Sequence, residues 1–239
     1  MTLPRTSQAT GSATVESLAV LRDAHGETPR QFSSGRPLSP RAQGIEAEIR
    51  TLYTRFKSSG VLSGQGVGNA SRRIPGTNHI VLSGFYPYTP YGDGIPRTVT
   101  IDLDYGSILE GEAHAGLIEV APLYVAAHRF DHGIGSILHT HAPHLASFAV
   151  ARLPLPLRLA AAQEEFGPAV QRIPVTRWGT RYEPEPIVEA LRHHPGTPAL
   201  IHGNHGPFVF GRDLPQAFRR LALLEEVADI ELKAARLVA

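Results

Sequence analysis

Residues 135–151 read GSILHTHAPHLASFAVA, and this stretch decides the fold. Gly135–His141 predicts a strand, and Pro143–Ala151 predicts a short helix with proline in its first turn, where a missing N–H costs nothing. Side chains two apart on a strand share a face. His139 and His141 can therefore aim two imidazoles at one point, which is what a metal ion asks of nitrogen ligands. The same pair on a solvated strand face would be two ordinary polar residues, so the spacing alone leaves both readings open.

Downstream, 155–166 is a helical candidate, Ala169–Thr176 a strand, Pro186–His193 a helix, and Ala199–His202 and Pro207–Phe210 are strands. Leu214–Leu237 has the mixed stripe of a long amphipathic helix. Upstream, Ser39-Pro40 is a helix start, followed by Ile45, Ile49, Leu52, Tyr53 and Phe56 on one stripe and by Gly60 as a stop. Residues 63–73 read as a glycine-rich turn, His79–Ser83 as a strand and 84–96 as a loop. Thr98–Leu103 and Ser107–Leu109 flank the turn Asp104-Tyr105-Gly106 as a hairpin. A helix is expected over Glu119–Phe130, with Pro122 in its first turn. The pattern predicts a three-layer α/β/α domain whose central sheet is mixed and mostly antiparallel. Residues 39–239 form that domain. Residues 1–38, rich in Ser, Thr, Gly, Pro and Arg, are expected to form an N-terminal arm, partly disordered or packed on the domain or a neighbouring subunit, with one helical candidate near Val15–Arg22.

Composition narrows the chemistry. The 239 residues hold 12 His and no Cys, so any metal must be held by nitrogen and oxygen, and a thiol nucleophile is excluded. Lys plus Arg number 23 against 22 Asp plus Glu, a balance that gives no support to nucleic-acid binding. No apolar run is long enough for a transmembrane helix and the N-terminus lacks an apolar signal core, so a cytoplasmic protein without a membrane partner is expected. His128, His132, His193 and His194 are expected at the surface, and His144 beside the site or exposed.

Two further pieces stand beside the histidine pair. Ile201-His202-Gly203-Asn204-His205-Gly206 carries a strand into a glycine turn, and Gly206 permits a tight bend next to a ligand. Ser63-Gly64-Gln65-Gly66-Val67-Gly68-Asn69-Ala70-Ser71-Arg72-Arg73, with Ser83-Gly84 after it, offers backbone and side-chain donors for a carboxylate or phosphate. Taken in order, Gly68-Asn69-x-Ser71-x-Arg73, Ser83-Gly84, Glu119, His139-x-His141 and His205-Gly206-x-Phe208-x-x-Gly211 resemble the class II aldolase/adducin superfamily over about residues 45–232. Leu224-Glu225-Glu226-Val227-Ala228 is similar to its epimerase branch. Fuculose-phosphate aldolases and ribulose-5-phosphate 4-epimerases belong to that superfamily.

The resemblance implies a divalent metal, zinc first and manganese or iron next, on His139, His141 and His205. Glu119 is implied as a further ligand and as the acid/base. Asn69, Ser83, Gly84 and Arg73 are implied to bind a small-molecule substrate. The implied function is a lyase that breaks or forms a C–C bond beside a hydroxyl/carbonyl pair through a metal-stabilised enediolate or enolate. Decarboxylation of a hydroxylated carboxylic acid and an iron oxygenase are the alternatives; a non-catalytic adducin-like module comes last. A homotetramer is also implied. The sequence departs from the family pattern in three places. Leu117 and Ile118 stand where sugar-phosphate enzymes carry two serines, which points to a non-phosphorylated or unusual substrate. The Glu119–His139 spacing is one residue long. No tyrosine follows Tyr182, so Tyr182 or Tyr88 would replace a C-terminal proton donor. Arg72 or Arg73 could take a substrate carboxylate, and Glu164 and Glu165 lie where the epimerase has a subunit-bridging acid.

Overall fold

The structure is a computed structural model and describes residues 31–62, 68–85, 97–177 and 182–237. Eleven strands and six helices are found among them. In chain order these are β1 (Gln31–Ser33), α1 (Pro40–Ser58), β2 (Gly68–Arg73), β3 (His79–Phe85), β4 (Arg97–Asp102), β5 (Ile108–His114), α2 (Ala115–Phe130), β6 (Ser136–Thr140), α3 (Pro143–Ala151), β7 (Leu155–Pro156), α4 (Ala160–Phe166), β8 (Arg172–Ile173), β9 (Val175–Thr176), α5 (Glu185–His193), β10 (Ala199–His202), β11 (Gly206–Gly211) and α6 (Leu214–Leu237).

Nine strands form one sheet in the order β1-β5-β4-β3-β2-β6-β11-β10-β9. Each neighbouring pair is antiparallel except β10 with β9, which is parallel. Strand alternation divides the sheet's side chains between two cores. Ala70, Val81, Leu138, Ile201 and Val209 pack under α1, α3, α4 and α6. Ile80, Val99, Ile137, Leu200, Phe208 and Phe210 pack under α2 and α5. The expected three layers follow directly from this division.

Several elements differ from their sequence reading for identifiable reasons. Gly68–Arg73 is a central strand between β3 and β6, not a turn. A Cβ at Gly68 would lie 2.4 Å from both the His139 carbonyl oxygen and the Phe85 ring, so this glycine answers to close strand packing. Helix α2 starts at Ala115, four residues before the expected start, which puts Pro122 in its interior. The helical candidate at 155–166 is β7 followed by α4. Pro174 splits the expected Ala169–Thr176 strand into β8 and β9, since it cannot donate to a ladder. The described end of the arm packs on the domain: Gln31–Ser33 pairs with β5 at the sheet edge, and the Ser34 amide donates to the Gly111 carbonyl at 3.1 Å. The Val15–Arg22 candidate, Ser63–Val67 and most of the 84–96 loop lie outside the described residues. No helix among the described residues is long and apolar enough to cross a membrane.

Candidate metal centre

Register sets the site. Gly84, Asn69, His139 and Phe208 stand opposite one another across β3, β2, β6 and β11, so they form one row on the α2 face. His141 follows one residue past the end of β6. The turn between β10 and β11 brings His205 over the same rim. In that turn Asn204 takes the left-handed φ of 59°, which asparagine tolerates, and the His205 amide donates to the His202 carbonyl at 3.0 Å.

The three histidines sequence reading singled out converge. One nitrogen from each of His139, His141 and His205 lies within 4.8 Å of the others. His139 and His205 stack at 4.7 Å between ring centroids, and His141 stands edge-on to both at 5.4 and 5.0 Å. Phe208 stacks on the other side of His139 at 4.5 Å. His139 Nδ1 lies 2.8 Å from the Pro207 carbonyl oxygen, which can only accept, so Nδ1 carries the proton. Nε2 is then the lone-pair nitrogen, and it is buried with no hydrogen-bond partner. Burial holds all three rings below the ordinary histidine range; for His139 the neighbouring His205 and His141 add to it, and His205 falls to about 4. Three neutral imidazoles, one with an orphaned buried lone pair, fit a divalent cation of the zinc type, which prefers nitrogen at such a site.

Glu119 is not part of that group. It is exposed on α2 between the buried Ile118 and Val120. Its charge is nevertheless felt at the site. Burial first, and Glu119 second, raise Tyr182 above the usual phenol range. Tyr182 in turn stands edge-on to His205 at 5.6 Å.

The expected substrate ligands divide. Asn69 is buried beside His139, and Gly84 is its neighbour in the row. Ser83 is opposite Ala70, on the other face, where its hydroxyl meets Thr98 Oγ at 2.9 Å and Thr98 donates to Glu46 of α1. The Ser83 hydroxyl is thus turned toward the α1 contact and away from the histidine row. Arg73 donates to the carbonyls of Ile134, at 2.9 Å, and His128, tying β2 to α2. Arg72 pairs with Glu48 of α1. Leu117 and Ile118 are buried in the α2-side core. Glu165 faces Arg220 at 3.4 Å, and Glu164 is exposed. Tyr88 lies outside the described residues.

Three residues escaped sequence reading. Tyr124, fully buried in α2, donates to Asn69 Oδ1, which leaves the amide N–H groups for a ligand. His202 is buried at the rim, with Nδ1 2.7 Å from Thr176 Oγ1 and its ring 6.0 Å from that of His205; burial pushes it to about 4. His128, expected at the surface, is fully buried against Ser71 at 2.8 Å. The i, i+4 spacing of Tyr124 and His128 on one helix face was a usable signal for the first and third.

Among known proteins, the profile of the Class II Aldolase and Adducin N-terminal domain family matches residues 48–232. Solved structures share the fold, among them three aldolases. An L-fuculose 1-phosphate aldolase matches with a TM-score of 0.66 at 19% identity, over 85% of this chain and 91% of its own. The L-fuculose-1-phosphate aldolase of Thermus thermophilus matches at 0.61 and 22%, over 84% and 99%. A sugar-phosphate aldolase of Thermotoga maritima matches at 0.57 and 20%, over 82% and 96%.

Proposed function

The chain belongs to the Class II Aldolase and Adducin N-terminal domain family, and from that premise we propose that it is a divalent-metal-dependent carbon–carbon lyase acting on a small, non-phosphorylated hydroxy-carbonyl compound. The observation that carries this reading is the convergence of His139, His141 and His205, with the buried His139 Nε2 lacking any other partner. In the proposal these three nitrogens hold the ion, zinc by ligand type. When bound, it would act as a Lewis acid on a substrate carbonyl oxygen.

The chain's own residues supply the rest. Phe208 and the Pro207 carbonyl fix the His139 ring, so its nitrogen does not reorient during turnover. Asn69, held by Tyr124, offers amide hydrogens to a substrate oxygen. Glu119, exposed on α2 and electrostatically coupled to Tyr182, is proposed to take the substrate hydroxyl proton as the C–C bond breaks, and to return it to carbon. Tyr182, beside His205, is proposed to shield that exchange from water. The substrate class is supported by what the site lacks among the described residues. Leu117 and Ile118 are buried apolar groups, Ser83 faces the other layer, and Arg72 and Arg73 are already bound within the fold. A homotetramer, in keeping with family members that form oligomers, is part of the proposal.

Elemental analysis of protein purified without chelator tests the metal centre. About one divalent ion per chain is expected, and its loss in His139→Ala. Cleavage of hydroxy-carboxylic acids and hydroxy-ketones should then exceed that of fuculose 1-phosphate or ribulose 5-phosphate. Metal-free wild-type protein that cannot be loaded, or faster turnover of the sugar phosphates, overturns the reading.

A further inference from the structure

Resting on the metal-centre reading above, we propose that Glu225 is a positioning residue for the histidine cluster and acts through helix α3. The first turn of α3 has no cap of its own. Ala142 occupies the N-cap and provides no side-chain hydrogen bond, and Pro143 has no N–H. The amides of His144 and Leu145 are satisfied from a distant helix instead. Glu225 of α6, buried in the core between the two helices, accepts from them at 2.8 and 3.0 Å. The same carboxylate lies 2.9 Å from His144 Nδ1. Its negative charge sits at the positive end of the α3 dipole.

This anchor is close in sequence to the centre at both ends of α3. His141 lies two residues before Pro143, so the place where Glu225 holds the helix sets where the His141 backbone leaves β6. At the other end, the Ala149 carbonyl accepts the Asn204 amide at 2.8 Å, and Asn204 directly precedes His205. One nine-residue helix thus joins the backbones of two of the three imidazoles. The third, His139, is fixed independently in the middle of the sheet. A small shift of α3 would move His141 and His205 together relative to His139, and a metal site tolerates such shifts poorly.

Helix α6 also carries a control. Glu231 is similarly buried, but its carboxylate pairs with Arg158, at 3.0 Å, where that of Glu225 meets α3. The experiment is Co2+ titration of the full chain against a competing chelator, read by affinity and by the visible absorption of the bound ion. It compares wild type, Glu225→Gln, Glu225→Ala and Glu231→Gln. Glutamine keeps the shape but sets an N–H2 group against one of the two amides. Glu225→Gln is expected to weaken Co2+ binding about tenfold, and Glu225→Ala by up to about 100-fold, with altered absorption bands. Glu231→Gln should lower thermal stability while leaving affinity within about twofold and the spectrum unchanged. If Glu225→Ala does not fold, the isosteric Glu225→Gln decides. Wild-type affinity and spectrum in Glu225→Gln, or equal weakening by Glu231→Gln, overturns the proposal. Failure of the wild type to bind Co2+ overturns instead the metal-centre reading beneath it.

Discussion

At Gly206 a Cβ would lie 2.5 Å from the Thr140 carbonyl oxygen and 3.5 Å from the His139 ring. The first contact is with backbone that is fixed in the sheet, so the clash cannot be relieved by a rotamer change. Gly206→Ala must separate β11 from the end of β6, and with them His205 from His141. It is expected to cost about 1–3 kcal/mol of stability, read by urea unfolding, and to weaken metal binding as well. Tyr124→Phe makes the opposite split. Removing one hydroxyl should cost about 1 kcal/mol, leave metal content unchanged, and raise KM or lower kcat because the Asn69 amide is no longer held. Equal metal loss in the two variants would contradict this assignment of roles.

Helix α2 is fastened to the sheet by a buried cluster rather than by apolar packing alone. His128 meets Ser71 of β2 and lies 3.1 Å, through Nδ1, from the Ile134 carbonyl, while Arg73 holds the His128 carbonyl. Burial, with the Arg73 charge second, pushes His128 down to about 3. An unfolded histidine titrates near 6.5, so below that pH the unfolded chain takes a proton that the native protein refuses. The contribution to stability is therefore complete above about pH 6.5 and declines as the pH falls toward 3. Urea midpoints between about pH 7.5 and 5 should fall in wild type and fall less steeply in His128→Gln, even though that variant starts less stable. Parallel slopes would place the acid sensitivity elsewhere. Legibility at this scale depended on whether local signals agreed with tertiary ones. Pro143–Ala151, Ala199–His202 and Leu214–Leu237 have the bounds their sequence announces, because proline starts and apolar periodicity mark them. Gly68–Arg73 does not look like a central strand, since its Gly, Asn, Ser and Arg residues find their partners in elements distant in sequence, β3, β6, α1 and α2. Helix α2 begins without a capping side chain at His114, so nothing local marked its true start.

For the whole molecule, a ligand that binds only the folded state adds stability by mass action. At about 100 times its dissociation constant a metal ion would add about 2.7 kcal/mol, which for a domain of this size raises Tm by roughly 5–10 °C. The shift should vanish in His139→Ala, as differential scanning calorimetry with and without chelator would record. The candidate site was legible where strand periodicity sufficed, as for His139 and His141, and where a motif resembled a family, as for His205 and Asn69. It was not legible where the answer depended on which face a strand turns inward. Ser83 and Gly84 are adjacent in sequence and on opposite sides of the sheet. How far Glu119 stands from the three imidazoles was likewise not readable, because one residue along a helix rotates a side chain by about 100°.

The row Asn69–His139–Phe208 also has a kinetic consequence. Its members come from positions roughly seventy residues apart, so the chain must close two long loops before the ion has anything to bind. The centre should therefore be assembled after the rate-limiting step of folding. Metal added to a refolding reaction should leave the folding rate unchanged and slow unfolding instead, since contacts absent from the transition state act on the unfolding limb. The ion would then serve as a latch on a finished sheet and not as its nucleus.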